Sequence, residues 1–406
     1  MIRIETLRRW TLWTFMAVSA FAAIEPSPYE FMFAVTVLAF ARSGLSFDRA
    51  IIPMIVLLAT LNAGGLLSLT PWVDERASVM FVAISVYIAV TAVFFAGLVA
   101  NDPINRLSTI RSGYVVAGTL AAILGILGYF NVMGLGPYFT LYDNSRASGP
   151  FKDPNVFGPF LVPPIVWLAQ DLLLKRKNAI GALGPLLIML VGILLSFSRG
   201  AWGVVIASIA LLIIFTFLTT RSAALRWRIV VLTALGVLGL VALVMAALSI
   251  PSISDILVSR ATLNQEYDVG ELGRFGAQLR SIPMLLDLPF GFGPLRFETI
   301  FPRNEAPHEV YINGFAAYGW LGGLSLIAFT GVTLYVGFRQ VFQRSSLQAD
   351  SIAIWASLLP QMVQGLQIDT DHWRHLFLMF GCLYGLASAA RIERARRPQG
   401  LLRPAA

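Results

Sequence analysis

The chain has 406 residues, of which 57% are hydrophobic and 13% charged, and its formal net charge is +8. Soluble domains are nearer half apolar and a quarter charged, so this composition, with a mean hydropathy of +0.74, excludes an ordinary soluble protein. The single cysteine, Cys382, excludes an intrachain disulfide and a cysteine-rich metal site.

Apolar runs recur along the whole chain, many of them near the roughly 18 residues that a helix needs to span a bilayer. They predict an all-α polytopic membrane protein with about twelve transmembrane helices. The predicted spans are residues 10–24, 29–41, 50–69, 78–100, 112–133, 156–174, 179–197, 201–220, 229–250, 310–338, 351–368 and 373–390. The first span follows several arginines, so a cleaved signal peptide is an alternative to a signal anchor.

The distribution of cations predicts the orientation. With the N-terminus in the cytoplasm, twenty of the thirty Lys and Arg residues lie in cytoplasmic segments, as the positive-inside rule requires. The chain then consists of nine spans over residues 1–250, a long outer loop over 251–309, and three spans with a basic cytoplasmic tail over 310–406. Much of the net charge is therefore an orientation signal that contacts membrane lipids, and it does not indicate nucleic-acid binding.

The stretch "LLSFSRGAWG" places Arg199 at an outer tip between two spans. A lone arginine there would be explained by contact with lipid phosphates, but the long outer loop brings further cations and His308 to the same side. About sixty residues is long for a simple connection and is typical of a functional loop. Within it, "AQLRSIPMLLDL" predicts a short helix that Pro283 begins or kinks, and "PFGFGPL" predicts a tight turn.

These residue types indicate a chemistry. Arginine forks bind phosphate oxygens, and a histidine can deprotonate a hydroxyl. Together they suit transfer of a group from a lipid phosphate to a hydroxyl. His372 and His375 lie near Asp369 and Asp371, but no third strong ligand is evident, so a metal site is disfavoured. No P-loop, dinucleotide-binding, HExxH or GxSxG motif is present.

Three stretches resemble the O-antigen ligase and O-antigen polymerase superfamily of bacterial envelope glycosyltransferases. They are "GPFKDPNVFGPFL", then "LLSFSRGAWG", and then "GRFGAQLRSIPMLLDLPFGFGP" followed by "PHEVYINGFAAYGWLGG". The resemblance runs in this order from about residue 135 to 337. Each motif alone is weak, but their order and their common side make the resemblance specific.

The resemblance implies a GT-C-like glycosyltransferase of the bacterial inner membrane with a periplasmic active site. The donor would be a glycan on undecaprenyl diphosphate, the reaction inverting, and no metal or cofactor needed. The family's functional residues fall on Arg199 and Arg274, as diphosphate binders, and on His308, which would engage the acceptor hydroxyl. Arg280 and Arg296 are further candidates for substrate binding. A helix starting just after His308 would also attract a phosphate.

Two departures from the family pattern stand beside these motif residues. Glu309 follows His308 where the family often has Asn or a small polar residue, and Asp153 precedes Pro154 where Asn is common. For the acceptor, lipid A core (a ligase) is favoured, with another glycan (an O-antigen or exopolysaccharide polymerase) as the alternative. A lipid-linked polysaccharide transporter is more remote, because most spans lack the buried ionisable residues that transporters commonly carry.

Overall fold

In the computed structural model the protein is almost entirely helical. The structure describes residues 4–23, 26–141, 145–176, 178–261, 274–300 and 308–396. The helices are α1 (Ile4–Ala17), α2 (Pro28–Phe40), α3 (Ile52–Leu69), α4 (Arg76–Asn101), α5 (Pro103–Tyr129), α6 (Gly136–Phe139), α7 (Pro154–Phe160), α8 (Val162–Leu174), α9 (Ala179–Leu195), α10 (Arg199–Thr219), α11 (Ala223–Leu248), α12 (Pro251–Ala261), α13 (Arg274–Leu286), α14 (Phe297–Ile300), α15 (Val310–Phe342), α16 (Gln348–Gln364) and α17 (Arg374–Arg396). One small hairpin pairs β1 (Thr140–Leu141) with β2 (Arg146–Ala147).

The all-helical fold predicted from the sequence is confirmed, but the count of twelve spans is not. Within the described residues, eight helical segments are long and apolar enough to cross a membrane: α3 with the turn after it, α4, α5, α7 joined to α8, α10, α11, α15 and α17. Helices α2 and α9 are apolar but shorter. The remaining two predicted spans, 10–24 and 351–368, overlap α1 and α16, which have 14 and 17 residues.

Helix α5 begins nine residues earlier than the apolar run predicts. Asp102 is its N-cap and accepts a hydrogen bond from the Asn105 backbone N–H at 3.3 Å, and Pro103 occupies the first helical position. Both residues favour the start of a helix. An N-cap aspartate accepts a hydrogen bond from a backbone N–H that has no partner within the helix, and proline at the first position loses no helical hydrogen bond. Arg106 and Arg111, expected in a loop, therefore lie on a helix and are held by ion pairs.

Cations that the positive-inside rule assigned to the cytoplasm gather at one end of the bundle. Two ion-pair clusters lie there: Glu5 with Arg8 and Arg106, and Asp171 and Asp350 with Arg111 and Arg176. The second cluster joins α5, α8, the turn after α8, and α16. The charged groups therefore tie together helices that are distant in sequence, at the end opposite to the motifs described below.

At the other end, the turn predicted from "PFGFGPL" docks into a break in α15. Gly319 interrupts this helix with φ 66° and ψ −173°, a conformation accessible mainly to glycine. The backbone groups of α15 that lose their helical partners at this break form hydrogen bonds with the turn. The N–H of Trp320 donates to the carbonyl of Pro289, and the carbonyl of Ala316 accepts from the N–H of Phe292, both at 2.9 Å. The turn is thus part of the packed structure.

The stretch "AQLRSIPMLLDL", which predicts a short helix, overlaps α13. This helix begins at Arg274, and Pro283 lies inside it rather than in its first turn. One face buries Ala277, Ser281 and Leu285, and Ala277 and Leu285 pack in a small cluster with Ala316 of α15. The opposite face exposes an apolar stripe: Phe275, Leu279, Ile282 and Leu286. A stripe of this kind is what a helix lying on a membrane surface presents.

Candidate active site

The Ser-Arg-Gly segment forms the junction between α9 and α10. Helix α9 ends at Leu195, Phe197 has φ 47°, and Ser198 is the N-cap of α10, its Oγ accepting a hydrogen bond from the Ala201 N–H at 3.4 Å. Arg199 is therefore the first residue of α10, and its side chain is half-buried. The turn fixes the start of α10 and with it the backbone of Arg199.

The Asp-Pro-Asn segment holds this junction from the side. Asp153 caps α7 by accepting from the Asn155 N–H at 2.8 Å. Asn155 Oδ1 then accepts from the Ser198 hydroxyl at 2.9 Å and from the Arg146 guanidinium at 3.0 Å. The Arg146 Nε donates to the carbonyl of Ser196, also at 3.0 Å. Asp153, which stands where the family commonly has Asn, thus still caps the helix. Asn155 links α7 to Arg146 of β2 and to Ser198 before α10.

Arg146 is a residue of this region that the sequence reasoning missed. It belongs to β2, only 7% of it is exposed, and both of its described hydrogen bonds go to the segments above. A buried guanidinium is costly unless it is hydrogen-bonded. The only signal in the sequence was its position on the outer side, which it shares with several other arginines.

Glycine permits the two segments to approach. A Cβ on Gly158 of α7 would lie 2.4 Å from the Cβ of Ala201, closer than real Cβ atoms come. The backbone of α7 at Gly158 therefore packs directly against the side chain of Ala201 in α10, next to the Ser-Arg-Gly segment. On another side of α10, a Cβ on Gly200 would meet the side-chain nitrogen of Gln364 at 2.6 Å.

The start of α15, just after His308, is held by the same end of α16. The N–H of Val310, the first residue of α15, donates to the carbonyl of Gly365 at 2.8 Å. Gly365 directly follows Gln364, so neighbouring residues at the end of α16 contact both the Arg199 segment and the start of α15. His308 has φ 48°, and its carbonyl accepts a 3.4 Å hydrogen bond from Gln278 of α13.

The start of α15 corrects one sequence expectation. A phosphate was expected at the free N–H groups of this helix end, but Glu309 caps them, its carboxylate accepting from Tyr311 at 3.3 Å and from Ile312 at 2.5 Å. Glu309 is only 6% exposed. Burial raises its pKa, while the two backbone hydrogen bonds act in the opposite direction. A buried carboxylate at these N–H groups disfavours an anion there.

The other predicted arginines differ in their surroundings. Arg296 pairs with Glu75 and lies 4.0 Å above the ring of Trp72, so the protein already satisfies its charge. Arg280 is exposed on α13. Arg274 is the first residue of α13, and the position of its side chain lies outside what the structure describes.

The two histidines near α17 make internal contacts. His375 is buried and its Nε2 lies 2.8 Å from Gln361 Oε1. His372 contacts the carbonyl of Phe81 at 3.0 Å and the carboxylate of Asp371 at 3.2 Å. Burial alone would lower the pKa of His372, but Asp371 raises it above its ordinary value. Among the described residues, no three His, Cys, Asp or Glu side chains form a metal-binding group.

Two adjoining cavities open at this end. The larger, about 420 Å³, is lined by Lys152, Asp153 and Arg374 together with many apolar side chains. The smaller, about 250 Å³, is lined by polar side chains of the first turns of α15 and of the loop before α17: Asn313, Asp369 and Asp371. Both are lined by Phe81, Leu295, His372 and Trp373, so they share a wall.

We predict that Gly158→Ala disrupts the contact between α7 and α10. Overpacking of this kind costs about 1–3 kcal/mol, so the variant should unfold at a lower temperature than the parent in detergent. Gly203→Ala is the matched control, because a Cβ at Gly203 of α10 meets nothing within 4 Å. Equal unfolding temperatures for both variants would contradict the close contact at Gly158.

A second prediction concerns the cap of α15. Glu309→Ala should lose about 1 kcal/mol of stability, the usual worth of an N-cap, whereas Glu309→Asn should keep the cap without the charge. Since the pKa of Glu309 is raised in the folded protein, its contribution is complete below the unfolded pKa and is lost as pH rises through the folded pKa. The parent should therefore lose stability relative to Glu309→Asn as pH rises, and a pH-independent difference would contradict this.

Comparison with known families gives one match. Residues 184–327 match the family described as O-antigen ligase. The matched region begins within α9 and ends within α15, so it contains Arg199, Arg274 and His308, while Asn155 lies before it. No curated protein and no solved structure matches the chain. Over residues 184–327, the family match confirms the resemblance indicated by the motifs.

Proposed function

We propose that this protein is a glycosyltransferase of the bacterial inner membrane that uses a glycan on undecaprenyl diphosphate as donor. An acceptor sugar hydroxyl attacks the anomeric carbon at the periplasmic face, the bond to the diphosphate oxygen breaks, and the configuration inverts. The favoured acceptor is lipid A core. The family of residues 184–327 supports this class of activity, and the cation clusters at the opposite end of the bundle support the orientation.

The observation that carries the proposal is the meeting of the Arg199 and His308 segments at the end of α16. Gln364 adjoins Gly200, and Gly365 accepts from Val310, so one helix end sets the positions of both segments. A transferase of this kind needs a cation for the leaving diphosphate and a base for the attacking hydroxyl, held in fixed relation.

In this proposal Arg199 and Arg274 bind the donor diphosphate. Negative charge develops on the leaving oxygen as the glycosidic bond breaks, and guanidinium groups already in place stabilise it without reorganisation. The half-buried side chain of Arg199 makes this interaction stronger than it would be in water. Arg280 is exposed and would meet the donor first, whereas Arg296, paired with Glu75, would act mainly by holding the docked turn.

His308 would take the proton of the acceptor hydroxyl. The carboxylate of its neighbour Glu309 bonds backbone N–H groups of α15, and so serves the helix. The smaller cavity beside the first turns of α15 is suited to the acceptor sugar. Asp369 and Asn313 offer hydrogen-bond partners for hydroxyl groups, and Trp373 offers an aromatic face. Neither a metal nor a cofactor has a role in this mechanism.

Ligase and polymerase activities differ in what accumulates when the protein is removed. A strain lacking a ligase should accumulate polymerised glycan on the lipid carrier, and its lipid A core should be unsubstituted. A strain lacking a polymerase should instead carry single repeats. We expect the ligase pattern in a glycolipid analysis of the deletion strain, and single repeats would assign the polymerase activity. An unchanged glycolipid profile would contradict the proposed function.

Substitutions at the two segments should separate donor binding from chemistry. Arg199→Ala should weaken donor binding by about 10- to 100-fold, as for a lost charged hydrogen bond, and Arg199→Lys should keep part of it. His308→Ala should bind donor normally and transfer about 10²–10⁴-fold more slowly. Donor affinity and transfer rate are measured with purified protein, lipid-linked donor and acceptor in the presence of EDTA. The control is Arg221→Ala, because Arg221 is exposed at the opposite end of the bundle.

Two results would contradict this assignment of roles. One is transfer at the parent rate by His308→Ala, which would remove the base. The other is loss of parent activity in EDTA, which would require a metal.

A further inference from the structure

A groove at the far end of α15 combines apolar walls with two arginines. It measures about 640 Å³ and lies at the opposite end of this 33-residue helix from His308. Its lining residues are Tyr335, Phe338, Arg339, Phe342, Gln343 and Arg394. Four of them are spaced three and four residues apart, from 335 to 342, and therefore share one face of α15. Arg394 comes from α17, which packs against α15 through the Thr333–Tyr384 hydrogen bond at 3.1 Å.

The cations of this groove have no anionic partner in the described part of the chain. Arg339 makes no ion pair there, and Arg394 bonds only the carbonyl of Ala390 in its own helix, at 3.2 Å. Other arginines at this end, such as Arg111 and Arg176, are paired with carboxylates. Two guanidinium groups over one groove, without a carboxylate partner among the described residues, form an anion-binding arrangement.

The amide of Gln343 supplies an independent observation. Both its nitrogen and its oxygen are buried, and neither has a hydrogen-bond partner within the described residues. The side-chain oxygen of Gln340, one turn earlier, is in the same condition. A buried amide without a partner is costly, so a ligand that offers both a donor and an acceptor would be bound favourably in the groove.

We propose that this groove binds one anionic phospholipid of the bilayer. The phosphate lies between Arg339 and Arg394, a hydroxyl or ester oxygen of the headgroup bonds the amide of Gln343, and the acyl chains lie along Phe338 and Phe342. A basic pocket between helices at the cytoplasmic leaflet is suited to such a lipid, and the positive-inside orientation places the groove there. This site is independent of the proposed glycosyl transfer.

The aromatic walls favour a lipid over a free phosphate ion. Tyr335, Phe338 and Phe342 are 64%, 42% and 55% exposed, so they present a large apolar surface beside the charges. Free phosphate would leave that surface uncovered. A zwitterionic lipid would bring its own cation close to the arginines, and this predicts selectivity for phosphatidylglycerol over phosphatidylcholine.

The test is native mass spectrometry of the full chain in detergent, titrated with phosphatidylglycerol or phosphatidylcholine of equal chain length. The parent should bind one phosphatidylglycerol more tightly than phosphatidylcholine. Combining Arg339→Gln with Arg394→Gln should weaken phosphatidylglycerol about 10- to 30-fold, the scale for two cations at an anionic surface. Gln343→Leu should weaken it about 3- to 10-fold without loss of folding, because it removes an unpartnered amide.

Arg344→Gln is the matched control, since Arg344 is exposed two residues beyond α15 and does not line the groove. It should bind phosphatidylglycerol like the parent. The proposal is overturned if Arg344→Gln weakens binding as much as the double variant, or if phosphatidylcholine binds equally well. It is also overturned if inorganic phosphate competes at equal concentration, or if a dimer forms that excludes the lipid.

Discussion

The hydrogen bonds of Asn155 are the constraint on which the rest of the candidate site depends. One side-chain oxygen accepts from both Arg146 and Ser198, and Arg146 reaches on to the carbonyl of Ser196. The burial of Arg146 makes these bonds obligatory, because an unsatisfied buried guanidinium is far more costly than an exposed one. The turn before α10 has therefore little freedom, and the direction in which Arg199 leaves the backbone is set by groups that carry no catalytic chemistry.

A second constraint is the end of α16, which lies between the two halves of the site. Its residues Gln364 and Gly365 contact the start of α10 and the start of α15. The docked turn at Gly291 supports α15 from the outside, since a Cβ at Gly291 would meet the carbonyl of Ala316 at 2.5 Å. Close backbone contacts at glycines are a common way for membrane helices to pack. Here they fix the positions of the Arg199 and His308 segments relative to each other.

The sequence predicted the helices, the motif order and α13, because apolar periodicity and capping residues act locally. It did not predict the role of Arg146, since nothing local separates a buried arginine from an exposed one. It also did not reveal the partner of Arg296, which pairs with Glu75 across more than two hundred residues of sequence. The phosphate expected at the start of α15 is disfavoured because the Glu309 carboxylate caps this helix, a contact that the sequence did not reveal. Such errors concern tertiary partners, which a single sequence does not reveal.

The most direct measurement is the affinity of purified protein for a lipid-linked diphosphate donor in the Asn155→Ala variant. If Asn155 holds the turn that positions Arg199, this variant should lose donor affinity nearly as strongly as one lacking the Arg199 guanidinium, although Asn155 carries no charge. Gly203→Ala, on the open side of α10, should bind like the parent. Donor affinity of Asn155→Ala equal to that of the parent would contradict the conclusion that the three motif segments form one site.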